Sequence, residues 1–239
     1  MTKTELINRK LVSPKEWLGA RKKFLVQEKE FTRLRDQLSR QRRELPWVKV
    51  EKEYVFEGPN GKETLGDLFE GRSQLVIYHF MYAPEWREGC PSCSFWADNF
   101  NGIIVHLNHR DVTFAGISRA PWKKLNAFQK RMGWTFKWVS SGKNDFNYDY
   151  HVSFQAEVPK EELEYNYSPL SFDSSDLPGV SVFYKDEKGN IFHTYSAYSR
   201  GVDVLNTAYN YLDLVPKGRD EDEFEFSMEW LRYHDRYDE

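Results

Sequence analysis

The sequence predicts an α/β fold. It reads as a mixed sheet with flanking helices, mostly parallel at its centre with an antiparallel edge, a long N-terminal helix and an acidic C-terminal extension. Three observations carry this. Leu75–Phe80 and Val112–Ile117 are near-continuous apolar runs, as strands covered on both faces require. Helix-patterned segments separate them, which implies parallel neighbours joined by right-handed crossovers. Val180–Tyr184 and Ile191–Tyr195, joined by a polar Lys185–Asn190 loop, read as a hairpin.

Taken in order, the first element is a helix. Ser13 is its N-cap, Pro14 its first residue, and Glu16 completes a Ser-x-x-Glu capping box. Trp17, Phe24, Phe31 and Leu38 recur at seven-residue spacing, widened by Leu18, Leu25 and Leu34, until Pro46 stops the run. At 1.5 Å per residue this is a rod of roughly 45 Å. Its stripe suits packing against its own domain or a homodimer contact, and both stay open. Val48, Val50, Tyr54 and Phe56 read as extended, Gly58–Gly61 as a turn, and Thr64–Phe69 as a short helix. After the Leu75–Phe80 strand, a helix is expected over Ser94–Asn101. Pro121 opens another that carries Trp122, Leu125, Phe128 and Met132 and ends at Gly133. Thr135–Val139 is a third strand, Asn144–Leu177 a polar, aromatic insert of loops and turns, and Val202–Leu214 a last helix. The expected divisions are a helical arm over 1–45, an α/β domain over 46–216 and an acidic tail over 217–239.

Composition narrows the function. Aromatic residues make up 16% of the 239 positions, too much surface to leave solvated, so the chain folds. Basic residues number 34 against 37 acidic, giving −3, so no nucleic-acid or membrane partner is expected. That average hides an asymmetry: residues 1–45 carry 13 basic and 6 acidic side chains, and residues 217–239 carry 4 and 9. The terminal segments read as solvated faces of opposite sign, or the first as an arm for an acidic partner. No secretory signal pattern is read in the first twelve residues, and Leu75–Ala83 and Ile103–Leu107 are too short to cross a bilayer. A soluble, cytoplasmic protein is expected.

The two cysteines, Cys90 and Cys93, are the whole thiol content, which excludes a multi-bridge secreted scaffold. Their Cys-Pro-Ser-Cys sequence follows a buried strand and opens a helix. A thiolate there meets unpaired backbone N–H groups and the positive end of the helix dipole, both of which lower its pKa. Cys90 would be the attacking thiolate and Cys93, one turn on, the resolving thiol. Two other readings compete. Cys90-x2-Cys93-x12-His106-x2-His109 supplies four zinc ligands, although the His spacing is shorter than a zinc finger needs. Silent cysteines in a non-enzymatic binding or assembly module are the other.

Several blocks resemble a bacterial thioredoxin-like family of unknown function. They are Gly89–Phe100 (GCPSCSFWADNF), Arg43–Trp47, Ser118–Pro121, Lys130–Trp134 and Asp145–Asp149, within about residues 13–215. The resemblance implies a thioredoxin-like fold with peroxiredoxin-like relatives and supplies no established reaction. Pro-Ser stands between the cysteines where thioredoxins have Gly-Pro. Gly179-Val180-Ser181 occupies the place of the thioredoxin cis-proline, with Pro178 two positions early. The Pro and Thr that precede a peroxidatic cysteine are absent as well.

Strand ends place Tyr82 and Trp86 beside the thiols as expected pocket walls, with Ser118 and Arg119 following the second strand as substrate contacts. Arg119 has the donor fork to hold a carboxylate or a thiolate. His79, within its strand, reads as a core residue. The expected activity is thiol–disulfide exchange at Cys90 and Cys93, without metal or cofactor, on a thiol or disulfide substrate or reductant.

Overall fold

The computed structural model describes residues 9–238. Helix α1 (Pro14–Arg43) starts as its caps predict: Glu16 N donates to Ser13 Oγ, and the Glu16 carboxylate accepts from Ser13 N. None of its residues is buried. Trp17 is 59% exposed, Phe24 56% and Phe31 64%. The alternative in which this stripe packs on its own domain is therefore not the one observed. Near its C-terminal end the Arg42 guanidinium lies 4.8 Å from the Tyr195 ring centroid.

Among the described residues the main sheet has eight strands. Its centre is the parallel trio β4 (Gln74–His79), β5 (Val112–Ser118) and β6 (Lys137–Ser140). The hairpin β9 (Gly179–Lys185) and β10 (Ile191–Tyr198) runs antiparallel beside β4, as expected. Strand β1 (Val48–Lys49) caps that edge on β10. The other edge holds β2 (Val55–Gly58) and β3 (Gly61–Thr64), a second hairpin that extends the sheet beyond β6. Thr64 ends β3 rather than starting a helix, and only Asp67–Phe69 turn, as 3-10. Threonine favours the pleat, and Asp67 accepts from its N–H and hydroxyl.

Strand alternation divides the core. On one face of β4, Leu75 and Ile77 join Phe56, Ile117, Val139 and Phe183. On the other, Tyr78 packs with Trp96, Phe100, Phe114 and Trp138 beneath α2 (Pro91–Ala97). The helix expected over Ser94–Asn101 thus starts earlier, at Pro91, and ends earlier; α3 (Ile104–Asn108) follows it. Helix α4 (Trp122–Arg131) ends with Gly133 at φ +65°, as a C′ glycine should.

The insert contains α5 (Phe146–Asp149) and the small hairpin β7 (Glu164–Tyr165) and β8 (Ser168–Pro169). Beyond β10, the helix expected over Val202–Leu214 is split. Ser199–Leu205 is 3-10, and Asn206 caps α6 (Thr207–Leu212) by accepting from Tyr209 N. The acidic C-terminal segment lies along the body instead of trailing as a solvated tail. Leu231 and Tyr233 are buried, and Arg131 pairs with Asp235 at 2.8 Å.

Candidate functional site

Cys90 is the N-cap of α2 and Pro91 its first residue, where a missing N–H costs nothing. Cys90 N donates to Met81 O at 3.0 Å, and Cys90 O accepts from both Ser94 N and Ser94 Oγ at 2.9 Å. Gly89 is fixed by crowding. A Cβ there would lie 2.7 Å from the Phe80 ring, and its carbonyl accepts from the Tyr233 hydroxyl at 2.6 Å. The C-terminal segment therefore clamps the residue before the first thiol.

One turn inward, Cys93 is buried, its Sγ 3.4 Å from Met81 N. The two thiols are free and differ in character. The Cys93 thiol donates to Cys90 Sγ. With the N–H groups of Cys93 and Ser92 and the Ser92 hydroxyl, this holds Cys90 down to about 7 against the cost of burial. Burial, followed by the hydrogen bond and charge of Cys90, pushes Cys93 well up. Tyr78, on the α2 side of β4, directs its phenol at the Cys93 sulfur, and burial followed by that neighbour raises its own pKa. The arrangement holds one thiolate near neutrality and keeps the other as a thiol.

Both cysteines border a cavity of about 340 Å³. Tyr78, Met81, Trp96 and Val202 form its floor and sides. The insert adds Tyr165, Phe172 and Leu177, Pro178 follows directly after it, and the C-terminal segment adds Phe226 and Met228. Tyr165 ties these parts together: its hydroxyl donates to Pro178 O at 2.7 Å and accepts from Ser199 N at 2.8 Å. Trp96 Nε1 donates to Val202 O at 2.9 Å, fixing the turn above α2. Arg200 and Asp203 also line the cavity and pair at 3.2 Å, and Arg219, outside the lining, pairs with Asp203 at 3.2 Å as well.

The four expected site residues, Tyr82 and Trp86 beside the thiols and Ser118 and Arg119 after the second strand, do not line this cavity. Tyr82 is buried, donating to Arg87 O at 3.0 Å with its ring against Phe128. Trp86 is half-buried, and its carbonyl accepts from Lys124 Nζ at 2.9 Å. Ser118 is fully buried, donating to Phe80 O at 2.6 Å and accepting from Trp138 Nε1 at 3.0 Å. Arg119 grips Asp176 with two 2.8 Å bonds and donates to the Tyr148 hydroxyl at 3.0 Å. Asp176 immediately precedes Leu177 and Pro178, so Arg119 acts one step away, by holding the insert that forms a cavity wall. The correction has a simple cause. Chain proximity to a strand end does not say which way a side chain leaves it.

Sequence reasoning misses Tyr78, Tyr165, Phe226 and Met228. Tyr78 alone carries a signal, a phenol inside an otherwise apolar strand whose hydroxyl must find a partner. His79 is a buried core residue as expected: its Nε2 lies 2.8 Å from Ser181 Oγ, and burial lowers its pKa to about 3. His106 and His109 do not join the cysteines, and among the described residues no group of three or more His, Cys, Asp or Glu is placed to hold a metal. Nor is any helix among them long and apolar enough to cross a membrane.

Residues 7–237 match the model of a family described as "Bacterial protein of unknown function (DUF899)", and the chain belongs to that family, which bears out the resemblance of its motif blocks. None of the curated proteins matches it. Similar solved structures include peroxidoxin BcpB from Mycobacterium tuberculosis, at 13% identity and a TM-score of 0.47, covering 68% of this chain and 94% of that one. A point mutant of peroxiredoxin Q from Xanthomonas campestris is 16% identical with a TM-score of 0.46, covering 66% and 89%. The yeast mitochondrial 1-Cys peroxiredoxin is 16% identical with a TM-score of 0.42, covering 68% and 74%.

Proposed function

We propose that this member of the DUF899 family carries out thiol–disulfide exchange, with Cys90 as nucleophile and Cys93 as resolving thiol. The observation that carries the reading is the asymmetry of the pair. Cys90 sits at the mouth of α2, held near neutrality by donors from Cys93 and Ser92, while Cys93 behind it stays protonated. The Cys90 thiolate attacks one sulfur of a disulfide, the S–S bond breaks, and the departing thiolate takes up a proton. The Cys93 thiol then gives up its proton and attacks Cys90 Sγ, releasing the second thiol. Two electrons pass from the protein dithiol to the substrate, and a dithiol reductant resets the protein. A reducing compartment such as the cytoplasm suits a pair that must return to the dithiol. The test is alkylation by uncharged iodoacetamide across pH. A rate midpoint near 7 assigned to Cys90 supports the reading, and a midpoint at or above 8.5 overturns it.

The uncovered stripe of α1 supports a second element of this reading, self-association. Helix α1 carries ten basic and four acidic side chains, so two copies of it repel each other. Residues 211–229 carry seven acidic and two basic side chains, with Tyr211, Leu214 and Phe226 exposed. The partner copy's 211–229 surface, apolar and opposite in sign, is the occupant we infer for α1.

A further inference from the structure

Resting on the exchange reading above, we propose that the disulfide admitted to Cys90 is a small, apolar molecule without negative charge. Size comes first. Cys93 is buried and Cys90 half-buried at the side of a cavity of about 340 Å³, so the attacked S–S bond has to enter the cavity. A disulfide held on a folded protein surface is too bulky for that volume, which Phe172 and Phe226 line from different segments. The lining comes next. Leu177, Val202, Phe226 and Met228 offer contact to hydrocarbon or aromatic rings and no hydrogen bonds from their side chains.

Charge decides the rest. Phe226 and Met228 enter the wall from the stretch Asp220–Glu229, which holds six carboxylates and no basic residue. The guanidinium of the lining residue Arg200 and that of its neighbour Arg219 are engaged by Asp203, and Arg219 by Asp213 as well at 2.9 Å. In the monomer, the state of dilute protein in which the reagents below are compared and in which no partner α1 covers residues 211–229, an approaching anion therefore meets a field of its own sign within a Debye length, about 10 Å at 0.1 M salt. Glutathione disulfide, polar and anionic, is a poor fit on both counts.

The reduced protein is mixed in single turnover with 4,4′-dithiodipyridine, which is neutral and aromatic, with its dianionic counterpart 5,5′-dithiobis(2-nitrobenzoate), and with glutathione disulfide. Each rate is divided by that of a simple thiol at the same pH. The expected result is a normalised preference of ~10-fold or more for the neutral reagent over either anion. That preference should shrink as salt rises from about 20 to about 500 mM, across which the Debye length falls well below 10 Å. It should also shrink at low salt in the Glu223→Gln/Glu225→Gln variant, whose exposed changes spare the core. Equal normalised rates, a preference for an anion, or a preference indifferent to both salt and the variant overturns the proposal. Its failure is separable from that of the exchange reading. If the iodoacetamide midpoint stays near 7 while selectivity is absent, only the substrate class falls; if Cys90 titrates as an ordinary thiol, the exchange reading falls with it.

Discussion

Helices α1 and α2 are both rich in large apolar side chains, and they differ in what covers them. In α2, Trp96 is buried against Tyr209, and Phe95 packs edge-on with Tyr209 and Trp230 at 5.1 and 5.6 Å. In α1, Trp17, Phe24, Phe31 and Leu38 are at least half exposed. The difference teaches that apolar periodicity states that a face needs covering, and leaves the covering surface unstated. In α2 the cover comes from the far end of the same chain. For α1 the same chain offers none among the described residues.

The sharpest way to test the importance of the α2 side is at the thiol itself. Cys90→Ser should abolish exchange, a loss of roughly three orders of magnitude or more in single turnover. Cys93→Ser should keep the first attack and halt at a mixed disulfide, visible by intact mass as one added substrate half. Exchange surviving in Cys90→Ser would move the nucleophile elsewhere.

Next in size is the ion pair that holds the insert over the cavity. Arg119→Met leaves the Asp176 carboxylate buried without its cation, and breaking such a pair costs roughly 3–5 kcal/mol. Urea denaturation should show that loss, together with weaker binding of the neutral disulfide, because Leu177 and Pro178 follow Asp176. An unchanged midpoint would mean that the insert is held by Tyr165 and its neighbours instead. Arg119→Lys keeps the charge without the two-pronged grip and should recover only part of the loss.

The elements legible in the sequence are those fixed by local rules. Capping at Ser13, the Gly133 stop, the apolar runs of β4 and β5 and the hairpin before Tyr195 each depend on neighbours a few positions away. So does the placing of Cys90 at the mouth of a helix. What stays hidden is assembled from long range. The Tyr233 clamp on Gly89 spans 144 positions, and no local pattern announces it. The cavity walls come from the insert and the C-terminal segment, whose weak periodicity gives no hint that they meet at the thiols. Arg119 reads as a substrate contact because its donor fork is visible, whereas its partner Asp176, lying 57 positions on, is not in view.

A smaller effect separates the buried core from the solvent-facing arm by pH. His79 is neutral when folded, with its pKa lowered to about 3, so the unfolded chain binds one more proton between there and about 6.5. Stability contributed by this group is complete above about pH 6.5 and falls as pH drops, by at most about 1.4 kcal/mol per unit. Melting temperatures between about pH 6.5 and about pH 4 should decline less steeply in His79→Leu than in the parent. Identical slopes would assign the acid limb to other groups.

The smallest expected effect on folding is also the one that settles the comparison. Removing residues 1–43 takes away a helix with no buried residue, so the stability of the remaining body should change by less than about 1 kcal/mol. Oligomeric state should change instead. If α1 docks on the partner's 211–229 surface, sedimentation should show the full chain as a dimer that weakens with salt and the shortened chain as a monomer. Lys22→Glu/Lys23→Glu/Lys29→Glu should weaken the dimer, as should Glu223→Lys/Glu225→Lys. Adding Arg33→Glu on α1 and Glu229→Lys on the facing surface, all seven changes together, should regain it, because net +6 then becomes −2 and net −5 becomes +1. Pairing of α1 with α1 would behave oppositely, since lowering its positive charge relieves repulsion and the 211–229 changes stay silent. A full chain that is monomeric at every concentration would leave α1 without this partner and break the inference.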